Sequence, residues 1–248
     1  MPEKIRTLAQ RLHDAGYATA GFTANGNGGS LAGLEKGFDV FEDSSRVYTK
    51  AMRGKTYNGL PTGEFLVGRA LSWLKKNRAP KRFVFLFLVD AHDPYGAPPE
   101  IERKFLEDFK GKIRRHALWE RDNAMAKDER FSLMALYDAG IHYGDRAFGQ
   151  FVKGLKDLKA LEHATIFVSA DHGEAFGEHG FYMHAHHFWE EVIHIPLIAR
   201  GPAFTKGFVD PRLTQSIDVT KTIAEFAHAE VANLPGSSLI EKNPVSYV

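Results

Sequence analysis

Cysteine is absent from all 248 residues. That excludes disulfides, thiolate metal sites and a cysteine nucleophile together. It leaves the compartment open, because a chain without thiols is stable in any redox environment. Long apolar runs are missing too. The longest, residues 83–89, is strand-sized and far short of the roughly 20 residues needed to span a bilayer as a helix. The first residues, Met1-Pro-Glu-Lys-Ile-Arg6, show no apolar signal core, so localisation stays unassigned. No charge sign dominates either. With 32 Lys and Arg against 31 Asp and Glu, the formal net charge is +1. Nothing in that balance argues for nucleic acid or an anionic membrane as partner.

What remains is an ordinary globular composition, long enough for one α/β domain with a full core. Ile5, Leu8, Ala9 and Leu12 recur at helical spacing, with Gly16 as a stop. Residues 17–23 then read as a strand, and the Gly-rich stretch Asn25 to Ser30 as a plain loop that matches no phosphate-cradle pattern. Thr62 is placed to cap a helix with Phe65, Leu66, Ala70, Trp73 and Leu74 on one face. Residues 83–89 are apolar throughout, which predicts a central parallel strand covered on both faces.

Residues 98–130 are heavily charged and weakly patterned, as in a partly helical surface excursion. A long helix follows, with Leu136, Tyr137, Gly140, Ile141, Gly144, Phe148, Phe151, Val152 and Leu155 on one stripe. Residues 164–170 and 195–199 predict two more strands, and Asp218 caps a last helix. Strands alternating with helices predict an α/β layered fold with a mainly parallel sheet.

Two of these strands end in polar clusters, where open α/β sheets place ligands. The first carries Asp90, His92 and Asp93; the second carries Asp171, His172 and Glu174, followed by His179, His184, His186 and His187. Adjacent strand residues point to opposite faces, so Asp171 and His172 reach one ion only if the chain turns, which Gly173 permits. A carboxylate beside an imidazole suits zinc or manganese, with calcium not excluded. Other readings stay open. Asp171 can cap a following helix, His92 can be an ordinary residue of an Asp-Pro turn, and Met183-His-Ala-His-His187 can be a solvated loop.

The arrangement resembles the sulfatase family of the alkaline phosphatase superfamily. Five segments carry the likeness, in matching order over nearly the whole chain. Leu8 to Ala20, followed by Gly37-Phe-Asp-Val-Phe-Glu-Asp43, is similar to L-A-x-x-L-x-x-A-G-Y-x-T-A and G-F-D-x-F-x-D. The strand ending Asp90-Ala-His-Asp-Pro-Tyr95 looks like D-x-H-x-P-Y. Tyr137 to Asp145 resembles Y-D-x-x-I-x-Y-x-D, and Ser169 to Gly180 resembles S-D-H-G-E-x-x-G-E-H-G. His184 to Ile198 resembles H-G-H-x-L-Y-E-E-x-I-x-x-P-L-I.

The likeness implies an alkaline phosphatase-like three-layer α/β/α sandwich. It implies Asp171 and His172 as ligands of a divalent metal, with many relatives carrying Asn where this chain has His172. His92 would contact the sulfate or the leaving oxygen. His184 and His186 would lie beside the substrate, His186 as the firmer assignment, with Glu174 nearby.

The family's paired aspartates and its C-x-P-S-R or S-x-P-x-R motif, the source of the formylglycine nucleophile, are not found in this sequence. Residues 1–248 are therefore expected to form a single, incomplete catalytic domain, poorly active by itself. The expected activity is sulfate ester hydrolysis on a small molecule or glycan. The alternatives are a phosphoryl-transfer relative, such as a phosphoethanolamine transferase or phosphodiesterase, and a catalytically dead binding module.

Overall fold

The computed structural model describes residues 5–25, 28–44, 56–57, 60–61, 63–95, 97–115, 125–204 and 206–240. Helix α1, Leu8–Asp14, opens on a capping box in which the Thr7 hydroxyl accepts from the Gln10 N–H and the Gln10 side chain accepts from the Thr7 N–H. Gly16, at φ +83°, turns the chain out of the helix. Strands β1 (Ala18–Thr23) and β2 (Val40–Asp43) follow, then a short antiparallel pair, β3 (Thr56–Tyr57) and β4 (Leu60–Pro61). Next come α2 (Gly63–Lys76), β5 (Arg82–Phe87), α3 (Pro99–Phe105) and α4 (Lys127–Asp157). The remainder is β6 (Ile166–Ser169), β7 (Ala175–Phe176), β8 (Tyr182–Met183), α5 (Glu190–Ile193), β9 (Leu197–Arg200) and α6 (Ser216–Phe226).

These elements form a three-layer α/β/α sandwich with a largely parallel central sheet. β1 lies between β2 and β5, parallel to both, with Ala20 opposite Val40 on one side and Val84 on the other. The apolar run of β5 serves two faces. Val84 and Leu86 pack into the core with Ala20, Phe22, Leu66, Ala70 and Phe151. Phe83 and Phe85 point the other way and meet Phe38, with ring centroids 6.0 and 6.4 Å apart.

β6 departs from the mainly parallel arrangement that the alternation of strands and helices predicts. Among the described residues it pairs antiparallel with β9, Val168 opposite Ile198, and not with β5. An apolar run signals burial but not the direction of its neighbour, and here the chain returns through α5 alongside the strand it has just left.

Other boundaries also moved. α4 begins at Lys127, inside the charged stretch read as an excursion, and Ile101 of α3 is buried within that stretch. α4 packs on both α2 and α3, so its buried band widens to Ala139, Tyr143 and Ala147, while Ile141 is left 48% exposed. Asp218 sits three residues beyond the N-cap Gln215 and accepts its N–H, completing a capping box rather than forming the cap. Thr62 lies outside the described residues.

Candidate active site

Three loops build the site. The first leaves β5 with Asp90. α4 carries this loop at close range: a Cβ on Gly140 would stand 2.4 Å from the Asp90 carbonyl oxygen. The Asp90 carboxylate accepts the Gly63 N–H at 3.1 Å on each oxygen, so a strand end caps α2 from 27 residues away. Burial pushes this carboxyl up to about 6; Glu64 adds to the rise, and the bond from Gly63 and one from its own backbone oppose it.

A raised acid favours the protonated folded state. Its stabilising contribution is full below the ordinary aspartate value of 3.8 and is lost as pH rises through about 6. Asp90→Asn keeps an oxygen acceptor for Gly63 and removes the buried charge. The variant is expected to unfold at higher denaturant than wild type above about pH 6, by up to about 3 kcal/mol, and to lose the slope between 3.8 and 6. Urea melts across that range check it; parallel pH profiles for the two proteins would refute it.

Two residues on, the half-buried His92 directs Nδ1 to the Asp93 carbonyl oxygen at 2.6 Å. The second loop leaves β6 with Asp171 and His172. His172 Nδ1 meets the Gly173 carbonyl oxygen at 2.8 Å, and its Nε2 lies 3.6 Å from Asp171 Oδ2. Backbone carbonyls only accept, so each imidazole carries its proton on Nδ1 and its lone pair on Nε2. The turn that brings Asp171 and His172 together does not use a left-handed glycine, contrary to expectation. Gly173 is needed for closeness, because a Cβ there would stand 2.1 Å from the Glu191 carbonyl oxygen.

The third loop brings His184. Its Nδ1 is 2.9 Å from Glu174 Oε1, and Glu174 Oε2 accepts the Tyr95 hydroxyl at 2.7 Å. Glu174 and Tyr95 are buried, and Tyr95 sits among Tyr137, Phe176, Tyr182 and Met183. The Glu174 hydrogen bond holds the His184 pKa above its ordinary value, against burial, with the charges of Glu174, Asp171 and Asp93 assisting. Burial and then the Glu174 carboxylate push the Tyr95 phenol up. Two non-glycine residues in the left-handed region bracket His184: Met183 at φ +71° and Ala185 at φ +80°. Such strain persists only where the surroundings over-determine it.

The loops converge on His184. Its ring stacks on His172 at 3.9 Å between centroids and meets His92 edge-on at 5.3 Å. Asp171, His172, His92 and His184 are thus drawn together, and His186 is exposed two residues further on. Part of the histidine crowd serves another purpose: His179 and His187 each stack on Trp189, at 4.4 and 4.0 Å.

Tyr95 was not singled out from the sequence, and Glu174 had no assigned role. Their signals were a place beside the histidines at two strand ends and membership of the D-x-H-x-P-Y and S-D-H-G-E segments, neither of which says that the two side chains meet. Asp171 and His172 offer two donors where a closed zinc site needs four. Among the described residues no group of three or more His, Cys, Asp or Glu is placed to hold a metal ion, so this donor set alone does not make a metal site.

The sulfatase family model matches residues 1–229. This chain belongs to the sulfatase family. Among characterised relatives, the choline-sulfatase of Rhizobium meliloti (strain 1021) is 33% identical over 92 residues, 37% of this chain and 17% of that enzyme. Among solved structures, the phosphonate monoester hydrolase of Agrobacterium radiobacter superposes with a TM-score of 0.76 at 18% identity, over 97% of this chain and 62% of that one. A protein solved in complex with its substrate D-glucosamine-2-N,6-O-disulfate superposes at 0.71 with 17% identity, over 96% and 64%. This sulfatase-family chain therefore spans less than two thirds of the length of these relatives. No described helix is long and apolar enough to cross a membrane.

Proposed function

We propose that the cleft is the oxyanion-binding part of a hydrolase acting on tetrahedral anionic esters, with phosphonate or phosphate esters ahead of sulfate esters. The observation that carries this is the convergence of His92, His172 and His184 from three loops, each with Nδ1 tied to an oxygen acceptor. Such a set presents Nε2 toward a ligand and, when protonated there, donates to charged oxygens. His184 is the donor to a non-bridging oxygen, and His92 is the donor to a non-bridging or leaving oxygen. Asp171 and His172 would contribute two ligands to a divalent cation completed by groups outside this donor set. A cation bound there would neutralise charge on the oxyanion.

The phosphonate hydrolase neighbours support the phospho reading. The Asp-x-His-x-Pro-Tyr segment supports sulfate esters as the second reading, with sulfated glycans or small molecules as substrates, as does the neighbour solved with a disulfated glucosamine.

Titration calorimetry with inorganic phosphate, methylphosphonate and sulfate tests the proposal. Phosphate and methylphosphonate are expected to bind more tightly than sulfate. His184→Ala and His92→Ala should each weaken binding about 10-fold or more, the value of a hydrogen bond to a charged group. Tighter sulfate binding would favour the second reading, and affinities unchanged in both variants would remove the site.

A further inference from the structure

We infer that Glu174 and Tyr95 act as a positioning couple for His184, setting which imidazole nitrogen faces the ligand and clamping together the loops that carry the histidines. The inference rests on the oxyanion-site reading above and deepens it.

His92 and His172 are oriented by backbone carbonyls of the residues that follow them, so their ring positions come with the local loop conformation. His184 is oriented differently. Its Nδ1 partner is a carboxylate ten residues back, on another loop. That carboxylate is held in turn by a phenol 79 residues back, on the loop of His92. Tyr95 is 0% exposed, the Glu174 side chain 4% and the His184 side chain 10%, so bulk water cannot readily substitute for any of these bonds.

The donor order is set by chemistry. The phenol donates to Oε2, and an ionised carboxylate can only accept, so the imidazole donates from Nδ1 to Oε1. This places the lone pair on Nε2. One hydrogen-bonded unit thereby joins the loop of His92, the loop of His172 and the loop of His184. Met183 and Ala185 on either side of His184 both sit in the left-handed region, at φ +71° and +80°, next to the ring that meets this acceptor. Both oxygens of the buried carboxylate are engaged, one by the imidazole and one by the phenol, so Glu174 acts through His184 and is a positioning residue and not a catalytic one.

The test uses the full chain with ¹⁵N-labelled histidine, comparing wild type with Glu174→Gln and Tyr95→Phe. Long-range ¹⁵N–¹H correlations, taken under alkaline conditions where imidazoles are neutral, report each tautomer directly. Wild-type His184 is expected as one Nδ1-protonated tautomer. Inorganic phosphate, added in a second titration under acidic conditions where the imidazole also carries a proton on Nε2, should move its Nε2 resonance. Glu174→Gln presents an amide of the same shape that can turn its N–H₂ toward Nδ1. His184 should then become a mixture of tautomers, while His92 and His172 keep theirs. Tyr95→Phe should leave the His184 tautomer intact but weaken phosphate affinity roughly 10-fold, the low end of what losing an outer orienting partner costs.

A global loss of fold would scramble all the histidines together, so selective change at His184 separates positioning from mere stability. An unchanged Nδ1 tautomer in Glu174→Gln would overturn the inference. If phosphate moves no histidine resonance in wild type, the oxyanion-site reading fails instead, whatever the tautomer result.

Discussion

Purified as these 248 residues, the protein is expected to hydrolyse an aryl phosphonate or aryl sulfate more slowly than relatives that carry the nucleophile motif by roughly 10⁴-fold or more. Covalent ester hydrolysis needs a nucleophile activated by a base or a metal. The sequence has no cysteine to convert to formylglycine and no S-x-P-x-R segment. Around the cleft the described residues supply imidazoles and carboxylates, with only two donors in the Asp171–His172 pair. Hydrogen bonds from His92 and His184 can still bind an oxyanion, so binding should survive where turnover does not. The check is a rate measurement on both esters with added zinc, manganese or calcium, repeated on His184→Ala. Robust turnover that vanishes in the variant would show that a nucleophile is present in these residues, and the proposed division between binding and chemistry would be wrong.

Gly173→Ala is expected to destabilise the chain by about 3 kcal/mol, the upper end of overpacking costs. The loop carrying His172 is joined to α5 by two backbone bonds. Gly173 N–H donates to the Val192 carbonyl at 2.7 Å, and Glu174 N–H donates to the Glu191 carbonyl at 3.1 Å. An added Cβ would stand 2.1 Å from that Glu191 oxygen, a backbone atom that cannot rotate away. The loop must therefore lift, both bonds must stretch, and Glu174 must move off His184. The variant should lose phosphate binding as well as stability. Gly144→Ala is the control: it lies in α4 with nothing within 4 Å of its would-be Cβ, and the change should stabilise by up to about 1 kcal/mol. Equal urea midpoints for wild type and Gly173→Ala, with phosphate affinity unchanged, would show that the contact is not tight in solution.

Much of the fold was legible in local pattern. The two packed faces of β5 and the stop at Gly16 follow from side-chain alternation and from glycine's access to positive φ. The central, fully covered place expected for residues 83–89 does not hold among the described residues, where β5 is half-buried and ends the β2-β1-β5 sheet. Position at the carboxyl ends of strands made His92, Asp171 and His172 candidates and left other readings open; the structure brings the three around His184. His184 could be picked from its neighbourhood, but its place at the centre of the cluster could not. That depends on ring contacts to His172 and His92, which come from other loops. Gly173 was assigned the wrong reason, since a required glycine does not reveal whether it supplies an angle or a gap.

By itself the sequence determined the alternation of strand and helix, the absence of a thiol, and the supply of histidines and carboxylates at two strand ends. These are properties of residue type and spacing along the chain. Only the tertiary structure decided that β6 runs against β9, that Asp90 caps α2, and that Tyr95 and Glu174 orient His184. Strand direction, helix caps from afar and imidazole tautomers are set by which partner stands opposite. Here those partners come from elements well separated along the chain, and no local period encodes which of them will meet.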